Sequence, residues 1–250
     1  LDSRWISEYD FAFSVTPTKD AYVTSAQPGT NYGTATQLWS GYWSSQTYYA
    51  LLYFPLSIPA DDFILEHADL ELYVATLADP GNFIAHRALS DWQESTVTWN
   101  NKPYYSTTPP YDPVQFSNSG PVTLDVTEIV ELWRTQPANN FGFMLHDSDT
   151  ARGFASVYSR EVGDTQLRPT LIGSGQPVLE WGTYSLRVHG FNENTGQVTA
   201  DLYRSGTLIE SMLSIEYHDF ETYDDGQVAI YHEGWNNVGE SMVHLYLAAP

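Results

Sequence analysis

No cysteine occurs in the 250 residues, so the chain has no disulfide framework, no thiolate metal site and no cysteine nucleophile, and its stability must come from burial. Basic charge is nearly as scarce. Only Lys19 and Lys102 are lysines, and 10 basic residues face 31 acidic ones for a net charge of −21. A polyanion such as nucleic acid would be repelled by such a surface, which excludes it as a partner. No apolar run approaches the ~20 residues that span a bilayer. The longest, around Tyr48 to Leu56, is strand-sized and broken by Pro55, so no transmembrane segment is expected. The opening Leu1-Asp2-Ser3-Arg4-Trp5 lacks a basic stretch followed by an apolar one, and the chain is read as a mature form. The helical zinc signature HExxH, the nucleophile elbow GxSxG, the P-loop and the GxGxxG dinucleotide turn are all missing, and the expectation is that this is not an enzyme. With no Asn-x-Ser/Thr sequon present, ordinary N-glycosylation is not expected either.

What is abundant is aromatic. Eighteen tyrosines, eight tryptophans and eleven phenylalanines suit pleated, half-buried surfaces better than helices. Short runs with period-two alternation recur between Gly, Pro, Asn and Asp clusters, the pattern of antiparallel sandwiches. Ala68, Leu70, Leu72 and Val74 turn one face inward, while Asp69, Glu71 and Tyr73 take the other. One short helix is expected after Asp125-Val126-Thr127, with Thr127 as its cap and Ile129, Val130, Leu132 and Trp133 at helical spacing. Gly173-Ser174-Gly175-Gln176-Pro177 reads as a linker. Beyond it, Tyr184 to Val188 and Val198 to Leu202 read as a hairpin closed by the turn Asn192 to Gly196. The fold class is therefore all-β: two consecutive antiparallel, jelly-roll-like β-sandwich domains with one short helix in the first. The boundaries are a 1–10 extension, an 11–173 sandwich and a 174–250 small β-domain.

Three kinds of candidate residue stand out. Trp39, Tyr42, Trp43, Tyr48 and Tyr49 form a dense aromatic run that could stack on pyranose rings, although alternation must send some of them into the core. Asp147 with Asp149, and Asp224 with Asp225, offer oxygens to Ca²⁺, ordinary turns being the other reading. No cofactor is required, and Ca²⁺ is the one considered. Trp5 and Ile6, in a segment ahead of the first core strand, mark a donor strand able to complete a neighbouring copy's sheet. The seven histidines are scattered with no convincing metal-ligand spacing.

One set of segments is more specific. Asp20-Ala21-Tyr22-Val23, Asn31-Tyr32-Gly33, Leu52-Tyr53-Phe54-Pro55-Leu56 and Ala68 to Tyr73 come first. Trp92-Gln93-Glu94, Val97-Thr98-Trp99-Asn100-Asn101-Lys102-Pro103, Leu124-Asp125-Val126-Thr127, Trp133, Gly142-Phe143, Ser159-Arg160-Glu161 and Arg168-Pro169-Thr170-Leu171 follow. In this order and spacing the first 173 residues resemble the DNRLRE domain, a β-sandwich of secreted and cell-surface proteins related to carbohydrate-binding modules and to archaeal disaggregatase-like repeats. Most of these positions look structural, Trp92 and Trp99 filling the core and Pro103 ending a strand. Glu180 to Leu186 and Asp201 to Gly206 look like one unit of the duplicated domain of methanogen S-layer proteins. These resemblances imply an extracellular, cell-surface, archaeal-type structural protein that self-associates into a layer, sheath or filament, with copies of itself or other envelope proteins as partners. The alternative they leave open is a carbohydrate-binding module of the envelope, with glycans as partners.

Overall fold

The computed structural model describes residues 2–7, 12–56, 63–108, 112–147, 153–192, 194–216, 220–236 and 242–248. The strands in chain order are β1 (Asp2–Ser7), β2 (Ala12–Val15), β3 (Lys19–Thr24), β4 (Gln37–Trp43), β5 (Gln46–Tyr53), β6 (Phe63–Asp79) and β7 (Gly81–Ala88). The short β8 (Tyr105–Ser106) and β9 (Val114–Phe116) come next, then β10 (Gly120–Asp125), the helix α1 (Thr127–Thr135), β11 (Phe143–Asp147) and β12 (Phe154–Tyr158). The remaining strands are β13 (Thr170–Trp181), β14 (Tyr184–Phe191), β15 (Val198–Arg204), β16 (Thr207–Ile215), β17 (Phe220–Tyr223), β18 (Val228–Asn236) and β19 (Met242–Ala248). The chain is all-β and antiparallel, and it divides into two compact units.

The first unit holds residues 14–57 and 67–173. Its hydrogen-bonded neighbours run β10–β6–β12–β4–β5–β11–β7, with β3 added on β5 and with β8 and β9 on β7. Neighbours in space are rarely neighbours in sequence, which is the crossover pattern of a jelly roll. Ala68, Leu70, Leu72 and Val74 of β6 are buried as their alternation requires, and Leu124 of β10 stands opposite Leu70. The helix packs Ile129, Val130 and Trp133 inward, and Trp133 meets Phe143 at 4.7 Å. Its cap differs from the expectation. The Thr127 side chain does not cap; Asp125 Oδ1 accepts from the Thr127 backbone N–H at 2.9 Å and from its hydroxyl at 2.7 Å. An aspartate two residues ahead of the helix serves the free donor better than a hydroxyl that is already engaged, because the carboxylate brings charge to the helix start as well.

A covering loop, residues 89–104, lies over β3, β5 and β11. Trp92 and Val97 are buried from it against Ala21, Val23, Leu51 and Met144, and the Trp92 indole N–H donates to Phe141 O at 2.9 Å. Trp99, expected in the core, is only half-buried, because its ring stacks on the half-buried Tyr49 of β5 and lies under the Lys102 ammonium and not inside the cluster of Trp92 and Val97.

The second unit holds residues 1–13, 58–66 and 174–250. One sheet runs from β13 through β14 and β15 to β16, and the other has the order β1–β19–β18–β17. Leu179, Leu186, Val188, Val198, Ala200, Leu202, Val228, Ile230, Leu245 and Leu247 form its core. The expected hairpin is present, with Tyr184 opposite Arg204 and Phe191 opposite Val198. The expected linker is not one, since residues 173–177 continue inside β13. Glycine there is a packing device: a Cβ on Gly175 would sit 2.1 Å from Ile64 O. Of the 1–10 extension read as a possible donor strand, residues 2–7 pair antiparallel with β19 of their own chain, with Trp5 opposite His244 and Ile6 opposite Val243. Among the described residues no helix is long and apolar enough to cross a membrane.

Candidate functional site

The β4–β5 hairpin carries a stacked aromatic row in the first unit that ends on an exposed ring. Ser44 and Ser45, both at positive φ (51° and 65°), close a two-residue turn of the kind that matches strand twist. Trp43 stands immediately before that turn. Two residues back, Gly41 lies opposite Phe154 of β12 on one side and Tyr48 of β5 on the other. Gly41 has no side chain, its φ is +107°, and a Cβ there would be 1.9 Å from Gly153 O. The Phe154 ring fills the space so left between Trp39 and Trp43. It stacks on Trp39 at 4.8 Å and 19°, on Trp43 at 5.5 Å and 20°, and meets Tyr48 at 4.9 Å. Phe154 is buried at 7% exposure, whereas Trp43, at the end of the row, is 49% exposed.

Strand alternation splits the five aromatic residues of the sequence reading. Trp39, Trp43 and Tyr48 meet around Phe154, a ring that the sequence reading missed. Tyr42 alternates away from Trp43, and Tyr49 away from Tyr48. Tyr49 belongs to a second group, stacked on Trp99 at 5.2 Å and close to Tyr105 (5.9 Å) and His146 (5.1 Å). His86 stacks on His146 at 4.6 Å, and the Lys102 ammonium lies 4.0 Å over the Trp99 ring. Burial and the neighbouring His146 hold the His86 imidazole down near pKa 4 against the opposing pull of the Ser106 carbonyl. Burial also lowers His146 and Lys102 and pushes the Tyr49 phenol up to about 12. A cleft of 150 Å³ over β6 and β10 carries a single ring, Tyr73, and its Arg168 guanidinium is tied to Val162 O.

The histidine pair carries a pH dependence. His86 has a folded pKa (about 4) below its unfolded value near 6.5, so the unfolded chain binds more protons between them. Its contribution to stability is complete above pH 6.5 and falls as pH drops through that window toward 4. Between pH 7 and pH 5 the wild type is expected to lose roughly 1–2 kcal/mol relative to a His86→Phe variant. Urea midpoints of the two proteins at both pH values check this, and parallel losses would remove His86 from the account.

A second constellation lies where β3, the covering loop and the segment after β12 meet. Asp20 is fully buried; its Oδ2 accepts from the Arg160 backbone N–H at 2.7 Å. The Asp20 N–H donates to Glu94 Oε1 at 2.8 Å. The Arg160 guanidinium donates to both Glu94 oxygens at 3.0 Å and pairs with Glu161 Oε1 at 3.0 Å. Asp20 Oδ1 and Glu161 Oε2 are buried and receive no donor. One oxygen from each of Asp20, Glu94 and Glu161 lies within 4.8 Å of the others, the one such group among the described residues able to hold a metal ion. Burial first, then Glu161 and Glu94, hold the Asp20 carboxyl near pKa 8, opposed by the Arg160 N–H. The Asn31 side-chain amide donates to Glu94 O and Val97 O, both at 2.7 Å, and a Cβ on Gly33 would be 2.2 Å from Glu94 O. The Asn31-Tyr32-Gly33 turn thus positions the glutamate's loop. Sequence reasoning missed this site, although Asp20, Glu94 and Glu161 each stand in one of the segments that carry the family resemblance.

The carboxylates expected to hold calcium are placed elsewhere. Asp147 Oδ2 accepts from the Gly153 N–H at 2.6 Å, and Asp149 lies outside the described residues. Asp224 Oδ2 accepts from the Tyr184 hydroxyl and from Arg204 Nη1, and Asp225 follows it in a turn where both have positive φ.

Comparison with known proteins adds a family. The family model of carbohydrate-binding module family 96 matches residues 12–173. The chain is also 25% identical over 181 residues to the tRNA nuclease WapA of Bacillus subtilis (strain 168). It has the same identity over the same length to the tRNA3(Ser)-specific nuclease WapA of Bacillus spizizenii. In each case the match covers 61% of this chain and 7% of the relative, so the chain spans a small fraction of the curated relatives it matches.

Proposed function

This chain belongs, through residues 12–173, to carbohydrate-binding module family 96, and from that premise we propose that its first unit binds glycan at the Trp43 end of the Trp39–Phe154–Trp43 row. The observation that carries the reading is the 49% exposure of Trp43 at the end of a stacked row whose central ring is buried. One indole face is spent on Phe154, which fixes the ring's orientation. The other is a rigid apolar plane of the kind on which a pyranose lays its axial C–H groups, at little entropic cost. Ser44, Ser45 and Gln46 follow in the turn and β5 and supply polar groups for sugar hydroxyls.

The matched 181 residues are 7% of the nuclease relatives, and a net charge of −21 disfavours a nucleic-acid substrate, so the activity named for those proteins is not proposed for this chain. The place of action is proposed to be outside the cell, where polymeric glycans are met. Self-association, the first reading of the sequence, would draw on the 2–7 segment; that strand is paired within its own sheet, which favours glycan binding. The test is a glycan array probed with the intact chain and with Trp43→Ala. Retention of one glycan class by the wild type and its loss in the variant is expected, whereas a wild type that retains no glycan would end the reading.

A further inference from the structure

We propose that Asp20, Glu94 and Glu161 form the site of a divalent cation of the calcium type, one that clamps the covering loop and the segment after β12 to β3. The donor set is oxygen only, which selects hard cations over zinc or copper. Three carboxyls face one guanidinium; burial and the neighbouring glutamates keep a proton on Asp20, and a divalent ion that displaces this proton meets a surplus of two negative charges, the charge that it cancels. Two oxygens are left for it. Asp20 has given Oδ2 to a backbone N–H, and Glu161 has given Oε1 to Arg160. Asp20 Oδ1 and Glu161 Oε2 remain buried without a donor. An acceptor in that condition has lost its water without gaining a partner, and Asp20 is fully buried at 0% exposure.

Coordination habit favours calcium over magnesium. Three oxygens within 4.8 Å of one another can reach one ion at the 2.3–2.6 Å of calcium–oxygen bonds. Magnesium demands a regular octahedron and gives up water reluctantly, whereas calcium accepts an irregular set completed by solvent. The donors come from positions 20, 94 and 161, so a bound ion closes loops of some 70 residues on either side of Glu94. It thereby fixes the loop that also carries Trp99 and Lys102. This inference does not rest on glycan binding.

The experiment uses the intact chain after treatment with a chelator. Calorimetric titration with CaCl₂ is expected to give one saturable site per chain, with a dissociation constant between about 10⁻⁶ and 10⁻³ M. Magnesium is expected to bind at least tenfold more weakly. At a hundredfold excess over the dissociation constant, calcium should raise the melting midpoint by about 5 °C or more. Asp20→Asn and Glu161→Gln keep the shape of each side chain and should each weaken calcium binding at least tenfold. Glu161 is only part-buried, so Glu161→Gln decides the matter even where Asp20→Asn does not fold, and terbium luminescence displaced by calcium gives a second readout on the folded protein. A wild type with no saturable calcium site would overturn the proposal. So would calcium binding undiminished in the variants, which would move the ion to other carboxylates.

Discussion

Replacing Gly142 by alanine will destabilise the first unit by about 3–5 kcal/mol, the top of the range for a single substitution and reached only through a named mechanism. Two penalties add. The φ of +86° at Gly142 is a conformation that a residue with a Cβ rarely adopts, and the Cβ itself would lie 2.2 Å from Leu52 O and 3.0 Å from Leu52 C and Tyr53 Cα. Those are backbone atoms of β5 and cannot rotate aside as a side-chain tip would. Gly142 cannot retreat either, since its carbonyl accepts from Ala88 N at 2.8 Å and its N–H donates to Asn140 Oδ1 at 3.2 Å, while the Asn140 amide reaches Phe54 O at 2.9 Å. Gly29 is the control: nothing lies within 4 Å of its added Cβ and its φ lies outside the left-handed region, so Gly29→Ala is expected to change stability by about 1 kcal/mol or less. Chemical denaturation of both variants checks this; a Gly142→Ala protein within 1 kcal/mol of the wild type would mean that β5 and β11 are not held as described.

Trp43→Ala has the largest expected effect on binding, a 30- to 150-fold loss of glycan affinity, corresponding to roughly 2–3 kcal/mol for a central aromatic anchor. The same change should leave folding almost untouched, because half of the ring is already in water and Phe154 keeps its contacts to Trp39 and Tyr48. Separation of the two readouts is what identifies a binding residue. Trp43→Phe, which retains a flat face on the same rotamer, is expected to recover most of the affinity. A loss of affinity that tracks a fall in melting temperature would instead make Trp43 a structural residue.

The strands were legible because alternation is local. Ala68 to Val74 shows its buried face in a span of seven residues, and the Tyr184 to Leu202 hairpin announces itself through its turn. Where chemistry depends on contacts between distant segments, the sequence is silent. Gly175 reads as a linker residue until Ile64 is seen beside it. The aromatic run at 39–49 reads as one cluster until the register of β4 against β12 sorts it, and the ring that organises it, Phe154, is more than a hundred residues from Gly41. The acidic site is the extreme case. The Asp20 N–H meets Glu94 across 74 residues, and Asp20 meets Arg160 across 140, so no periodicity or spacing rule joins them. The available signal was indirect: an acid in each of three segments that together carry the family resemblance, which was read as structural support.

Whether the Trp43 face holds glycan is decided by calorimetric titration of the intact chain with the glycan class most strongly retained on an array, run in parallel with Trp43→Ala. Saturable binding by the wild type that falls at least 30-fold in the variant is the predicted result. No heat of binding to any retained glycan, or equal affinity in the two proteins, would contradict the assignment of the Trp43 face as a glycan site.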